Sequence, residues 1–454
     1  MDKAKISVIM PVLNGMPYLK TALTSVLDQS VKDIEVIVVD AGSRDGSVQY
    51  VEEQKKHDSR IKLLYSECKS MGYQYNLGIQ NADGEYVGFC ESDDYLASDM
   101  LEKLYRTAEE RGEMDFIKSD FFMFIGTAGN EFSIKYEVLS SKYRHLYGKK
   151  INIEVMPELL FRDVNMWNGI YRKDFIEKKG IRLNETQGAS FQDIGFIEQV
   201  LLSGADGLYI TDAYYHYRRD NEGSSVYKDT AVYVLQELSY ILRFVEERKD
   251  IKEKYGDLIL DRLFDFFCDR YGRKLYYDLP GTFDEFIKEI QKVLKKYIDS
   301  LPCGIKEHAL NNEMLLLFME DRDIFSVLCM KRFGYRIKKL ERFQHEIKTA
   351  KELVIFGAGE LGKSYLAMLV KNRYDKKIVF CDNNADLWGK NILGYEVMSV
   401  DNAAEKFPTA YFLISNREFF WAAKSQLFRC GIKGGQILEG PVLGPHSALE
   451  LNWV

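Results

Sequence analysis

The feature that most limits what this chain can fold into is a pattern repeated near its start. A short run of buried-type residues is followed by a polar turn and then an amphipathic helix. Ile6-Ser7-Val8-Ile9-Met10 reads as a buried strand, and so does Ile34-Glu35-Val36-Ile37-Val38-Val39. Between them Pro17 opens a helix where its missing N–H costs nothing, and Leu19, Leu23, Val26 and Leu27 recur at helical spacing. A second helix starts at Ser47, Ile61-Lys62-Leu63-Leu64 is a third strand, and Glu85-Tyr86-Val87-Gly88-Phe89-Cys90 a fourth. This alternation predicts a parallel α/β sheet. In such a sheet, binding groups gather at the C-terminal ends of the strands. The chain places acids there: Asp40 after the second strand, and Glu91-Ser92-Asp93-Asp94 after the fourth. Three acids within four residues are electrostatically costly unless something positive sits among them. Such oxygen ligands suit magnesium or manganese. The alternative is a surface turn that caps the next helix, a role Asp fills well.

A chain of 454 residues exceeds one ordinary core. Three regions are expected: an α/β domain over 1–228, a helical stretch over 229–348, and a second α/β pattern over 349–454. Hydrophobic residues at 46% and charged ones at 29% exclude a mainly disordered chain. The net charge of -7 gives no support for nucleic acid as a partner. The seven cysteines are scattered with no C-x-x-C, which supports neither a disulfide framework nor a zinc site and suits a reducing compartment. No signal-peptide pattern and no long uncharged apolar run occur, so a cytoplasmic location is expected. Residues 331–351 carry eight Lys or Arg against two Glu, with Phe333, Ile337, Leu340 and Ile347 roughly on one face. That pattern suits either a peripheral helix on the inner face of an anionic membrane or a bundle helix with a solvated basic side. The helical stretch is also where a homo-oligomer interface could be built.

Four motifs occur in order: PVLNG at 11–15, VVDAGSRDGS at 38–47, ADGEYVGFCESDD at 82–94 and SFQD at 190–193. Together they resemble the GT-A-fold, family 2 glycosyltransferases, typically inverting enzymes of bacterial surface-polysaccharide assembly. The resemblance covers about 1–228 and implies a nucleotide-sugar donor, usually linked to UDP. It further implies a divalent metal, and a glycan, lipid-linked or protein hydroxyl as acceptor. Carried over, it sets Pro11 and Asn14 at the nucleotide entrance, Asp40 on the base, and Asn76 and Ser92 on the donor side. Asp93 would hold the metal, with Glu91 meeting the metal or the ribose. Asp193 matches the catalytic base, and Arg218 with the 221–225 loop, including Ser224, matches a segment that closes over the diphosphate. Read from the residues alone, Asp193 looks like a helix-capping Asp. Trp167 is either an acceptor-side stacking face or a core residue. The chain departs from the family pattern at Leu13, at Tyr75 (commonly Arg), at Glu91 (the first Asp of the metal motif) and at Gln192 (usually an acid).

Near the C-terminus, Gly357-x-Gly359-x-x-Gly362 follows a strand and opens a helix, and Asp382 lies 20 residues after Gly362 at the end of the next strand. That spacing suits an acid bonding a ribose hydroxyl. With Asp382-Asn383-Asn384 and Gly394-Tyr395-Glu396-Val397, the region resembles Rossmann-like domains of nucleotide-sugar-modifying proteins. It is expected either to bind a nucleotide or to serve as a scaffold. Two further readings therefore stand beside the transferase: an NAD-dependent sugar-nucleotide oxidoreductase, and an inactive assembly scaffold.

Overall fold

The computed structural model describes residues 4–112, 114–139, 141–221, 231–276, 284–415 and 420–440. The chain forms two compact units, one of residues 1–124 and 135–330, the other of residues 125–134 and 331–454. The helical stretch expected at 229–348 does not stand alone. Its helices up to Met330 belong to the first unit and the remainder to the second.

The larger sheet is built on strands β1 (Ile6–Val12), β2 (Ile34–Asp40), β3 (Ile61–Tyr65), β4 (Tyr86–Phe89), β5 (Tyr95–Leu96), β6 (Phe116–Thr127), β7 (Asn130–Tyr136), β8 (Lys150–Ile151), β9 (Gly169–Arg172) and β10 (Gly207–Arg218), of which residues 125–134 of β6 and β7 fall in the second unit. Their order is β3-β2-β1-β4-β9-β6-β10-β5, with β7 beside β6 and β8 beside β10. The first four strands are mutually parallel, as the alternation predicts, while β9 runs antiparallel between β4 and β6. β1 and β2 are buried along their whole lengths, which is why they read as unbroken apolar runs. The register pairs Val12 with Asp40 and Ile9 with Phe89, so the chain leaves β1, β2 and β4 along one edge.

Helix Met71–Gln80 packs over these strands. The Gln74 amide nitrogen donates to carbonyls at the ends of β1 and β2, Val12 O at 3.0 Å and Val39 O at 2.6 Å. Gly78 lets the helix lie close: a Cβ there would sit 2.4 Å from Cγ2 of Ile9.

The second unit has strands β11 (Glu352–Phe356), β12 (Lys377–Cys381), β13 (Asn391–Ile392), β14 (Tyr395–Met398), β15 (Tyr411–Ile414) and β16 (Ile437–Glu439), ordered β13-β14-β12-β11-β15-β16. This is the second α/β domain the sequence predicts, with helix Glu360–Lys371 after β11. Leu340, Phe343 and Ile347 of helix Arg322–Thr349 are buried in one core with Leu353, Ile355 and Leu366. Leu340 and Ile347, two of the four apolar residues on that face of the basic helix, are thus covered by protein, while Phe333 and Ile337 are half-buried. Among the described residues no helix is long and apolar enough to cross a membrane.

Replacing Gly78 with Ala should cost about 1–3 kcal/mol through overpacking against Ile9. The check is the shift of the urea unfolding midpoint at unchanged slope.

Candidate active site

The edge where β1, β2 and β4 end is organised by short polar side chains. Asp40 closes β2 and is 2% exposed. One of its oxygens, Oδ1, accepts from the N–H groups of Gly42 and Ser43 at 2.8 and 2.9 Å. The other, Oδ2, is buried with no hydrogen-bond partner among the described residues. A buried acceptor left unmet is costly, so it is suited to a donor brought by a ligand. Asn14, at φ 55°, links the two loops: its N–H donates to Ser43 Oγ and its Oδ1 accepts from Arg44 N–H, both at 2.8 Å. Gly15 and Met16 donate to Ser47 Oγ and Asp45 Oδ2. Ser92 lies against Gly15, where a Cβ would come within 3.3 Å of it. Pro11 is buried inside β1 opposite Val39, so it shapes the strand end and does not line an entrance.

The acidic turn after β4 is anchored rather than loose. Ligand atoms of Glu91, Asp93 and Asp94 all lie within 4.8 Å of one another. Asp94 is buried and fully engaged: Oδ2 accepts from the Tyr215 hydroxyl and Oδ1 from the Arg218 N–H, each at 2.7 Å. The same Tyr215 oxygen accepts from the N–H of Glu91 at 3.0 Å. Asp93 and Glu91 are half-buried and remain to face a ligand. Asp93 Oδ2 accepts from the Asn221 side chain at 2.7 Å. Burial, the neighbouring Asp93 charge and that of Asp193 push Glu91 up to about 8. Burial likewise raises Asp93, against the opposing pull of Asn221, Arg218 and Arg219. A cluster in which each carboxylate resists ionisation has the donor set of a site for a hard divalent cation.

Arg218 and Arg219 are 7% and 5% exposed, so neither is a surface charge. Arg218 is held in place: its Nε donates to Asp93 O at 2.8 Å, Nη1 reaches Asp220, and the guanidinium lies over the rings of Tyr18 and Phe124. It braces the acidic turn from behind. Ser224 lies outside the described residues.

Asp193 sits in the first turn of helix Gln192–Leu202. Its Oδ1 accepts from the N–H of Ile194, and burial pushes its carboxyl up to about 6, with Lys118 pulling the other way. Phe191, at φ 70°, turns the chain into the helix. Gln192, where an acid is usual, ties the preceding loop by donating to Thr186 Oγ1 at 3.0 Å. Gly188 pairs with the start of helix Met71–Gln80, donating to Lys69 O and accepting from Met71 N–H. This brings Asp193 to the acidic edge, close enough for its charge to raise both Glu91 and Tyr75. Tyr75 is fully buried, and its hydroxyl has no partner among the described residues.

Two expected ligand contacts are structural. The Asn76 side chain donates to Leu183 O and Glu185 Oε1 and accepts from Leu183 N–H, so it fastens the 183–185 loop. Trp167 is 2% exposed, stacked on Tyr215 at 4.3 Å and tilted against Tyr217. It is core beneath the acidic turn and offers no sugar-stacking face. Lys118 and Tyr215 were not among the expected site residues, whereas Arg219 follows Arg218 and Asn221 opens the expected 221–225 loop. Tyr215 lies in the run Tyr214-Tyr215-His216-Tyr217-Arg218-Arg219, and Lys118 carries no sequence signal of its own.

In the second unit Gly357, Gly359, Gly362 and Asp382 do come together. Gly357 takes φ +104°, and a Cβ on Gly362 would lie 1.9 Å from the Gly357 carbonyl oxygen. Asp382 Oδ2, however, accepts from Ala358 N–H and Oδ1 from Asn384 N–H, each at 2.8 Å. The acid expected on a ribose instead closes the glycine loop.

Residues 7–163 match the family model for glycosyl transferase family 2. Over that stretch the chain is similar to family 2 glycosyl transferases. Relatives include EpsH of Bacillus subtilis strain 168, a glycosyltransferase by name, 29% identical over 48% of this chain and 62% of its own. The cholesterol galactosyltransferase of Borreliella burgdorferi is 28% identical over 47% of this chain and 60% of its own. GlyA of Streptococcus pneumoniae, also named a glycosyltransferase, is 28% identical over 47% of this chain and 30% of its own. The chain thus spans less than two thirds of the length of these relatives. In fold, the chain is similar to S. aureus TarS 1–349 crystallised with UDP-GlcNAc, at TM-score 0.55 and 20% identity, covering 74% of this chain and 92% of that one.

At the acidic turn, Tyr215→Phe should strip partners from Asp94 Oδ2 and the Glu91 N–H and cost about 1–3 kcal/mol. Chemical denaturation of the variant beside the parent protein gives the number.

Proposed function

We propose that this chain transfers a sugar from a nucleotide-diphosphate donor, most simply a UDP-sugar, to an acceptor hydroxyl with inversion at the anomeric carbon. The observation that carries the reading is the meeting, along one sheet edge, of three groups: the unpartnered Asp40 oxygen, the Glu91–Asp93 pair, and Asp193. Asp40 Oδ2 would accept a hydrogen bond from the edge of the base. Asn14 and Ser92 border the channel between base and acidic turn. Asp193 takes the proton from the acceptor hydroxyl. That oxygen attacks the anomeric carbon from the face opposite the diphosphate, the bond to the diphosphate oxygen breaks, and its electron pair leaves with the nucleotide. Glu91 and Asp93 would hold a divalent cation, manganese or magnesium, whose charge offsets the negative charge growing on the leaving group. Arg219, whose charge already acts on both acids, adds to that offset. UDP-GlcNAc is the first donor to try, because TarS, which shares the fold, holds it. The acceptor would be a glycan, lipid-linked or protein hydroxyl, presented on the cytoplasmic side. The glycine loop of the second unit, closed by its own Asp382, adds no step to this reaction.

Nucleotide release is to be measured against UDP-, GDP-, TDP- and CMP-sugars with manganese and then with EDTA. Release from one donor should disappear on chelation and fall about 10²–10⁴-fold in Asp193→Ala, with Asp93→Ala also inactive. No release from any donor, together with no donor binding by calorimetry, would defeat the proposal. A base must be ionised to work, so kcat should be lost as pH drops through about 6, the value to which burial raises Asp193. Asp193→Asn should abolish that limb. Glu91 gives up its proton near 8 in the absence of a cation. Calorimetry should therefore show manganese binding tighten as pH rises from about 6.5 to about 8.5, with protons released.

A further inference from the structure

Asp193 is supported from outside the sheet. The helix that carries it, Gln192–Leu202, is buried along nearly its whole length. Its back meets two helices of the same unit, Ala231–Glu246 and Lys249–Tyr276. From the first comes Glu237, 1% exposed. Its Oε2 accepts from the Asn184 side chain at 2.9 Å, and its Oε1 lies against Gly195, where an added Cβ would sit 1.8 Å away. Burial pushes this carboxyl well above the ordinary range. From the second helix comes Arg262, whose Nε donates to Glu198 Oε1 at 3.1 Å, with that carboxylate 1% exposed. Gly195 and Glu198 follow Asp193 by less than two turns. Gln199 adds a third tie, donating to Arg182 O at 2.8 Å.

An eleven-residue helix has little stability of its own, so these contacts set its position. A buried ion pair is also a poor way to gain stability, since an apolar pair of similar volume often does as well or better. Its use here is geometric: Arg262 and Glu198 meet in one arrangement, whereas apolar side chains would tolerate sliding.

We propose that the two helices form a brace for the candidate base, and that Glu237 and Arg262 are positioning residues that fix helix Gln192–Leu202 and so the aim of Asp193. This rests on the reading of Asp193 as the proton acceptor. A shift of about 1 Å at such a group can cost about 10²-fold in rate.

The test uses the full chain with Arg262→Met, Glu237→Leu, the conservative Arg262→Lys and Glu237→Gln, and Asp193→Asn. Amide hydrogen exchange over residues 190–196 is read by mass spectrometry, and nucleotide release is read with the donor that supports turnover. In Arg262→Met and Glu237→Leu, exchange over 190–196 should rise about tenfold while β1 and β4 stay protected. The kcat of the folded protein should fall about 10²-fold with the donor KM unchanged. The conservative variants should recover most of both. In the Asp193→Asn background, neither brace variant should lower the residual rate further, because the group being aimed is already gone. Unchanged exchange over 190–196, or an undiminished kcat, would overturn the brace. So would an equal further loss in the Asp193→Asn background, which would mark a general structural defect. Full turnover by Asp193→Asn alone would refute the base reading instead, and the exchange result would then decide the brace separately.

Discussion

Asp94 is the residue on which the site hangs. It is one of three acids packed into a four-residue turn, and it is the one that faces inward. Its two oxygens take the Tyr215 hydroxyl and the Arg218 amide, and through Tyr215 it also fixes the Glu91 amide. The turn after β4 is thereby tied to β10, more than 100 residues away in sequence. Glu91 and Asp93 are left close together and half-buried. The loss of water raises the proton affinity of both, and the Asp93 charge raises that of Glu91 further. A cation would relieve both costs at once, which is the physical reason for expecting one.

The rest of the site is arranged around that anchor by pieces that each settle a backbone or side-chain demand. Gln74 donates to carbonyls at the ends of β1 and β2, Asn14 joins the loops that follow them, and Asn76 fastens the loop leading toward Asp193. Asp40 is an exception, with one oxygen used by its own loop and one left over, and the buried Tyr75 hydroxyl is another. An unmet buried acceptor among so many satisfied groups is the clearest mark of where a ligand completes the structure.

Much of this was legible in the sequence, and the reason is local. Strands buried on both faces read as apolar runs, and an acid directly after such a run must lie at the sheet edge. Asp40, Glu91 and Asp93 could therefore be placed from the sequence. What the sequence could not show is which atoms are already engaged. Asn76 sits in a family motif yet all its hydrogen-bonding groups go to the 183–185 loop, and Trp167 lies beneath the site rather than in it. Asp382 stands at the spacing of a ribose-binding acid yet closes its own glycine loop. The basic helix near 331–351 has an amphipathic pattern, but only the fold reveals that Leu340 and Ile347 are buried in the second sheet's core. Lys118, Glu237 and Arg262 were invisible for a related reason: a single buried charge has no periodicity, and its hydrogen-bond partner lies 45 to 64 residues from it in the chain.

The central claim is that Glu91 and Asp93 hold a cation beside a nucleotide whose base is read by Asp40, with Asp193 facing the same space. A crystal of the chain soaked with UDP and manganese, with anomalous data collected near the manganese edge, tests this most directly. The account predicts one anomalous peak within coordination distance of Asp93, with the diphosphate beside it and the uracil edge on Asp40 Oδ2. A peak elsewhere, or a nucleotide bound only at the Gly357 loop of the second unit, would contradict it.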